Sequence, residues 1–139
     1  MSVPDKGKII EFLSNKYSCK FTTMARKQIM FEGSTNRERI VVCTPSSKIH
    51  KKGSGWFDLK MAQVEILDDA NISILAVRLE GNKVYLIDFK ELRKLMTSDY
   101  IVFTPLIGEH WKFFVWESQI EIQGNRNKYY VQPELGSWI

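Results

Sequence analysis

Two stretches of this sequence concentrate groups able to do chemistry. The first is Val41 to Lys60, VVCTPSSKIHKKGSGWFDLK. Its middle sets the hydroxyls of Thr44, Ser46 and Ser47 beside the cations Lys48, Lys51 and Lys52 and the imidazole of His50. Gly53-Ser54-Gly55 follows, a flexible element that frees backbone N–H groups, and then the aromatic pair Trp56-Phe57. Hydroxyls, cations and free amides together suit a phosphate backbone. Trp56 adds a ring on which an exposed base stacks, an interaction of ~1–3 kcal/mol. The same composition also describes a solvated hairpin loop whose lysines serve solubility. The second stretch is Asp88-Phe89-Lys90. An acid and a lysine two apart on a strand share a face, so the acid can hold Mg²⁺ while the lysine steadies an attacking water, with Asp58 as a second acid. Against that, helix-forming KELRKLM follows Asp88 and Glu91 stands three residues on, the pattern of a helix cap.

Other chemistries are missing. Gly53 and Gly55 are too few for a dinucleotide fingerprint, and no serine sits in a G-x-S-x-G elbow. Cys19 and Cys43 form no C-x-x-C pair and read as free thiols. His50 and His110 have no metal-ligand spacing. The cofactor left open is Mg²⁺, and only for a nuclease.

These groups need elements to position them. Ile9, Ile10, Leu13 and Tyr17 recur at helical spacing after a capping Asp5, which predicts a helix from Lys6 to Lys16. Gln28 to Glu32 and Arg37 to Cys43 alternate around a Gly33–Asn36 turn and predict a hairpin. In it Arg37 and Arg39 share a face. They either reach a phosphate backbone or pair with Glu32 and Glu38. Met61 to Asp69 predicts a short helix. Ile72 to Leu79 is nearly all apolar and predicts a buried central strand, returned by Val84 to Ile87 and followed by a helix from Phe89 to Met96. The last forty residues read as short strands rich in aromatics. Trp111, Phe113 and Val115 lie on one face of a strand, Phe114 and Trp116 on the other, which predicts burial of both faces. Trp111, Trp116 and Trp138 are therefore expected in the core, with Trp56 as the exception. Repeats and linkers are absent. The whole, residues 1–139, reads as a single α+β domain with about three short helices and a mainly antiparallel or mixed sheet.

The chain has 139 residues and a net charge of +4. Residues 16–60 hold ten Lys/Arg against three Asp/Glu, whereas residues 61–139 hold eight against eleven. That asymmetry is expected of a nucleic-acid-binding face, provided the fold does not interleave the two parts. No apolar run approaches the ~20 residues of a membrane helix, and MSVPDKGK has no signal-peptide core. The expectation is a cytoplasmic protein, not secreted and with no membrane partner.

The order helix, hairpin strand, VVCTPSSK, WFDLKMAQVEIL and ILAVRLEGNKVYLIDFKEL resembles the core of the restriction-endonuclease-like PD-(D/E)XK nucleases. In that family an E-x-K-S-S strand is often followed by a loop, a helix with Gln-Val-Glu and an apolar strand. Ser46-Ser47-Lys48 and Gln63-Val64-Glu65 are the matching pieces, and the resemblance covers residues 6–97. Where the family has E-x-K this chain has Val42-Cys43-Thr44, with no Pro-Asp before it, so the family's metal ligands do not carry over. Either a DNA-binding role persists without that centre, or Asp58 and Asp88 serve instead. Three functions follow as expectations. The first is a DNA-binding protein of the restriction or DNA-processing kind, using Arg37, Arg39, Ser46, Ser47, Lys48, His50, Lys51, Lys52 and Trp56. The second is a Mg²⁺-dependent endonuclease using Asp58, Asp88 and Lys90. The third is an interaction domain without nucleic acid, including a possible homodimer.

Overall fold

The computed structural model describes residues 3–135. Trp138 lies outside that range. The chain runs α1 (Lys6–Tyr17), β1 (Thr22–Thr23), β2 (Met30–Ser34), β3 (Arg39–Cys43), β4 (Ser46–Ser47), β5 (Gly55–Lys60) and α2 (Met61–Asp69). It continues as β6 (Ile72–Leu79), β7 (Lys83–Asp88), α3 (Phe89–Arg93), a 3₁₀ turn (Ser98–Tyr100), β8 (Val102–Thr104), β9 (Gly108–Val115), β10 (Gln119–Ile122), β11 (Tyr129–Tyr130) and β12 (Glu134–Leu135). The fold is α+β as expected, but the strands divide between two sheets. A seven-stranded sheet has the order β1-β2-β3-β6-β7-β12, with β4 also on β6. A five-stranded sheet has the order β11-β10-β9-β5, with β8 also on β9. Pairing is antiparallel except where β3 and then β4 run parallel to β6.

The larger sheet is the middle layer. On one face Ile9 and Leu13 of α1 pack with Ile40, Val42, Ile74 and Ala76. On the other, Val41, Leu75, Val77, Tyr85 and Ile87 meet Phe57, Leu59, Trp111, Phe113 and Val115 of the smaller sheet, together with residues of α2 and α3. Cover on both faces is why Ile72 to Leu79 lacks polar alternation. Ile74 and Ala76 of that run and Ile87 of the return strand are buried as the pattern predicts, and Leu86 of the return strand is half-buried. Tyr85 pins the two sheets. Its ring is fully buried and its hydroxyl lies 3.0 Å from the carbonyls of both Trp116 and Glu117.

Local differences from expectation have physical causes. The hairpin is β2 with β3, shifted two residues later than its pattern suggests, and its turn is closed by Thr35 N donating to Glu38 O at 2.9 Å. Gly33 sits within β2 because a Cβ there would come 2.9 Å from Lys20 O, so this glycine permits a close approach and does not make a turn. The helix after Asp88 ends at Arg93. Its last amides tighten into i→i+3 bonds, Leu95 N to Leu92 O at 2.9 Å and Met96 N to Arg93 O at 3.0 Å. The strand β5 was hidden in sequence by the glycines and lysines before it. Gly55, expected to be flexible, is buried where a Cβ would meet Leu79 Cδ1 at 2.5 Å.

Between β3 and β4, Thr44-Pro45 interrupts the pairing with β6. Proline has no N–H for the ladder. Arg78 of β6 compensates, donating to Thr44 O through Nε at 3.1 Å and Nη2 at 2.9 Å. This guanidinium lies close to the buried Cys43. Burial raises the Cys43 thiol from 9.0 to about 12, with Arg78 opposing in smaller measure. A raised folded-state value means the protonated thiol stabilises the fold fully below pH 9.0, and that contribution is lost as pH rises through about 12. At pH 8 a thiol reagent should therefore modify one cysteine of the native protein, the partly exposed Cys19, and reach Cys43 only in denaturant. Rapid native labelling of both thiols would contradict the buried position of β3.

Candidate nucleic-acid interface

Strand alternation fixes which side chains the smaller sheet turns outward. In the β5–β9 register Trp56 stands opposite Phe114, Asp58 opposite Lys112 and Lys60 opposite His110. Their neighbours Phe57, Leu59, Trp111 and Phe113 are buried against the larger sheet. Opposed residues of an antiparallel pair share a face. Trp56, Asp58, Lys60, His110, Lys112 and Phe114 thus share the outer one. Trp116 and Glu121 extend it, joined by the indole N–H donating to Glu121 Oε1 at 2.8 Å. The expectation that β9 is buried on both sides holds for Trp111, Phe113 and Val115. It does not hold for Phe114 and Trp116, which are only half-buried. The smaller sheet is an outer layer whose second face is only partly covered, with His110 on it buried and Trp56 on it exposed.

Trp56 is 41% exposed and has two close partners. Lys112 Nζ lies 4.8 Å from its ring centroid, a cation–π contact. The His50 ring lies 6.2 Å away on an interplanar angle of 31°. His50 belongs to the basic loop, which is closed by its own bonds. His50 N donates to Ser54 O at 2.9 Å, and Gly53 N to His50 O at 2.8 Å, with Gly53 at φ 93°. Ser47 Oγ joins the loop's two ends, accepting from Trp56 N at 2.9 Å and donating to Lys48 O at 2.7 Å. Ile49 N donates to a Glu80 carboxylate oxygen at 2.9 Å. The Gly53 amide and the Ser47 hydroxyl are therefore committed to the loop itself. Ser46, Lys48, His50, Lys51 and Lys52 remain exposed.

Below the loop lies a cavity of about 560 Å³ lined by Pro45, Ser46, Ser47, Lys48, His50, Trp56, Asp58, Lys60 and Gln63 among others. The loop and β5 make one site. Gln63 in the first turn of α2 accepts from Lys60 N at 2.9 Å, which fixes the start of that helix beside the cavity. Asp58 accepts no hydrogen bond from a described residue. Its Oδ1 is fully buried and unpaired, 3.9 Å from His110 Nε2. His110 is nearly all buried, and its Nδ1 lies 2.8 Å from Gly108 O. With Nδ1 on that carbonyl and the ring nearly all buried, His110 is not presented to a ligand.

The other expected residues lie elsewhere. Asp88 caps α3, accepting from Lys90 N at 3.1 Å, and Lys90 Nζ donates to Asp68 O at 2.8 Å at the end of α2. Both line a separate cavity of about 330 Å³ beside α1 that does not include Asp58. The three proposed catalytic residues are not brought to one place. Among the described residues no group of three His, Cys, Asp or Glu is placed to hold a metal ion. Glu91 pairs with Lys94 at 3.0 Å instead of closing a capping box. Arg39 is held by Glu32 at 3.0 Å and Asp69 at 3.3 Å, the pairing alternative for that residue. Arg37 is exposed in the 35–38 turn. Both lie at the start of β3, whereas the loop follows β4, so about eight residues of strand, on the order of 25 Å, separate them from Lys48.

Lys60, Gln63, His110, Lys112 and Phe114 were not anticipated as site residues. The signal for Lys60 was present: Asp58-Leu59-Lys60 is an acid-x-Lys on a strand, next to the basic loop. The signal for Lys112 and Phe114 was their alternation with Trp111 and Phe113, which needs the register to be read as outer. No protein-family model, curated protein or solved structure matches this chain.

The cap geometry generates a test. Replacing Asp88 by Ala should cost ~1 kcal/mol of stability in chemical denaturation, with Asp88→Asn nearly neutral, because either Asp or Asn caps. Neither change should alter nucleic-acid binding. A loss of binding in a stable Asp88→Asn protein would bring the α3 cavity back into the site.

Proposed function

We propose that this protein binds single-stranded nucleic acid, with unpaired bases on the outer face of the five-stranded sheet and phosphates along the basic loop. The observation that carries the proposal is the cluster of Trp56, Phe114 and Trp116, flanked along the same face by Lys112 and Lys60 and adjoining the loop that carries Lys48, Lys51 and Lys52. Rings on a sheet stack on bases, and every base has a face to offer once it is unpaired. Lysines beside the rings serve the phosphates that link successive bases. A duplex hides its base faces, so the rings favour single strands. Compared with the sequence reading, the centre of the site moves from phosphate contacts alone to base stacking beside them.

The same exposed rings would also suit a second copy or another protein. The charges beside the rings argue against that occupant. Lysine and aspartate are depleted at the centres of protein–protein interfaces, yet Lys112 and Asp58 stand in the middle of this face.

A specific placement favours one second reading. Asp58 and Lys60 alternate on β5 and both line the loop cavity, which suits Mg²⁺-assisted phosphodiester cleavage better than Asp88 with Lys90 does. Asp58 is the one carboxylate among the cavity-lining residues, so water and substrate phosphate would have to supply the remaining ligands of a Mg²⁺ ion.

Binding of labelled oligonucleotides across a salt series tests the proposal. Single strands should bind more tightly than a duplex of the same length. Lys48, Lys51 and Lys52 together changed to Ala should reduce the salt slope by up to about 2, at roughly 0.7 per phosphate contact on single strands. Trp56→Ala should weaken single-strand binding by about fivefold or more. Absence of binding to any nucleic acid at low salt would overturn the proposal. Failure of Mg²⁺ to produce cleavage under the same conditions would remove the second reading.

A further inference from the structure

We infer that the cavity between the basic loop and β5 is a site for a single unpaired base, clamped by His50 and Trp56 and read by Asp58 through an exocyclic amine. The inference rests on the proposed single-strand binding and adds to it a defined position and a base preference.

The clamp comes from ring geometry. Successive stacked bases lie about 3.4 Å apart, so two rings that flank one base stand ~7 Å apart and near parallel. His50 and Trp56 stand 6.2 Å apart, tilted by 31°. Less than about 1 Å of opening and a modest rotation would admit a base between them. Lys112 Nζ also lies 4.8 Å from the Trp56 centroid, a cation placed beside an entering base. His50 is carried on the exposed turn closed at Gly53, whereas Trp56 is held in the β5–β9 ladder. One jaw is fixed and the other lies on a surface turn.

The reading group is Asp58. It stands two residues from Trp56 on the same face of β5, about 6.7 Å along the strand. Neither oxygen is spent on a hydrogen bond within the described protein. Oδ1 is turned into the interior toward His110, which leaves Oδ2 as the acceptor on the cavity side. An ionised carboxylate accepts and does not donate. It therefore suits the exocyclic amines of cytosine, adenine and guanine, and it offers thymine less, because thymine's one ring N–H is flanked by two carbonyl oxygens that a carboxylate repels. Carboxylate pairing with the cytosine amine is an established form of base readout. Lys48 and Lys60 line the same cavity and stand where the phosphates flanking a clamped base must pass.

The test uses the full chain and a labelled ten-residue thymidine oligonucleotide whose central base is thymine, cytosine, adenine or guanine. A single replacement in a thymidine host avoids the self-stacking of purine homopolymers. The amine-bearing oligonucleotides should bind about ten- to a hundredfold more tightly than the all-thymidine one, the range of a hydrogen bond to a charged group. Asp58→Asn should abolish that preference while binding of the all-thymidine oligonucleotide persists. His50→Ala, at an exposed position that no core contact depends on, should weaken all four by at least about threefold. Equal binding of all four oligonucleotides by the unaltered protein overturns the base site and leaves single-strand binding standing. An unchanged preference in Asp58→Asn also overturns it, by moving the reading group elsewhere. Absence of binding to all four sinks the underlying function itself.

Discussion

Packing of one sheet against the other governs the rest of this molecule. Phe57 stacks on Phe113 with ring centroids 4.7 Å apart, and both are buried with Leu59 and Trp111 against the inner face of the seven-stranded sheet. Burying such side chains contributes on the order of 1.5–3 kcal/mol each, whereas the opposite orientation would bury Asp58, Lys60 and Lys112 with the rings of that face. Once Phe57 and Leu59 point inward, the pleat turns Trp56, Asp58 and Lys60 outward, and a slip of one residue would exchange the two sets. The polar and aromatic face is thus a consequence of the core. Tyr85 adds a fixed point, since its buried hydroxyl on the Trp116 and Glu117 carbonyls ties β7 to the β9–β10 turn. Burial, with a smaller contribution from Glu117, raises that phenol to about 12.

The chain passes from one sheet to the other through a short and tightly constrained segment. Thr44-Pro45 breaks the parallel pairing, Arg78 satisfies the carbonyl this frees, and β4 resumes on β6 for two residues. The loop then reverses the chain so closely that a Cβ on Gly55 would meet Leu79 Cδ1 at 2.5 Å and Ser47 Oγ at 3.0 Å. A glycine there is required by close approach. The basic loop is consequently clamped at both ends, by Ser47 and by the β5 ladder. Its lysines are carried on a defined turn beside the sheet face.

Charge is divided between structural and free roles. Arg39, Arg93 and Lys128 are held in ion pairs with Glu32, Asp68 and Glu121, and Arg93 also lies 5.2 Å from the Trp111 ring centroid. Such partly exposed pairs contribute little individually, but they remove these cations from the set available to a polyanion. Lys48, Lys51 and Lys52 are exposed, and Lys60 and Lys112 lie on the face itself. The basic excess of residues 16–60 survives folding only in part, because the hairpin arginines and the loop lysines end at opposite ends of the β3–β4 run.

Local and periodic features were determined by the sequence alone. The Asp5 and Asp88 caps, the helix Met61–Asp69, the buried run Ile72–Leu79 and the α+β class all follow from propensities and spacings that act within a few residues. The concentration of cations and a tryptophan near Lys48 to Trp56 was legible for the same reason. Tertiary structure decided what depends on distant partners. It set the split into two sheets, because apolar alternation says which residues share a face but not which sheet they join. It placed Asp58 with the loop and Asp88 with α3, since two acids thirty positions apart in the chain carry no mark of their separation in space. It also left Phe114 and Trp116 outside while taking Trp111 and Phe113 in. A strand that is apolar on both faces is buried on both only when another layer covers each one, and here a single layer was available.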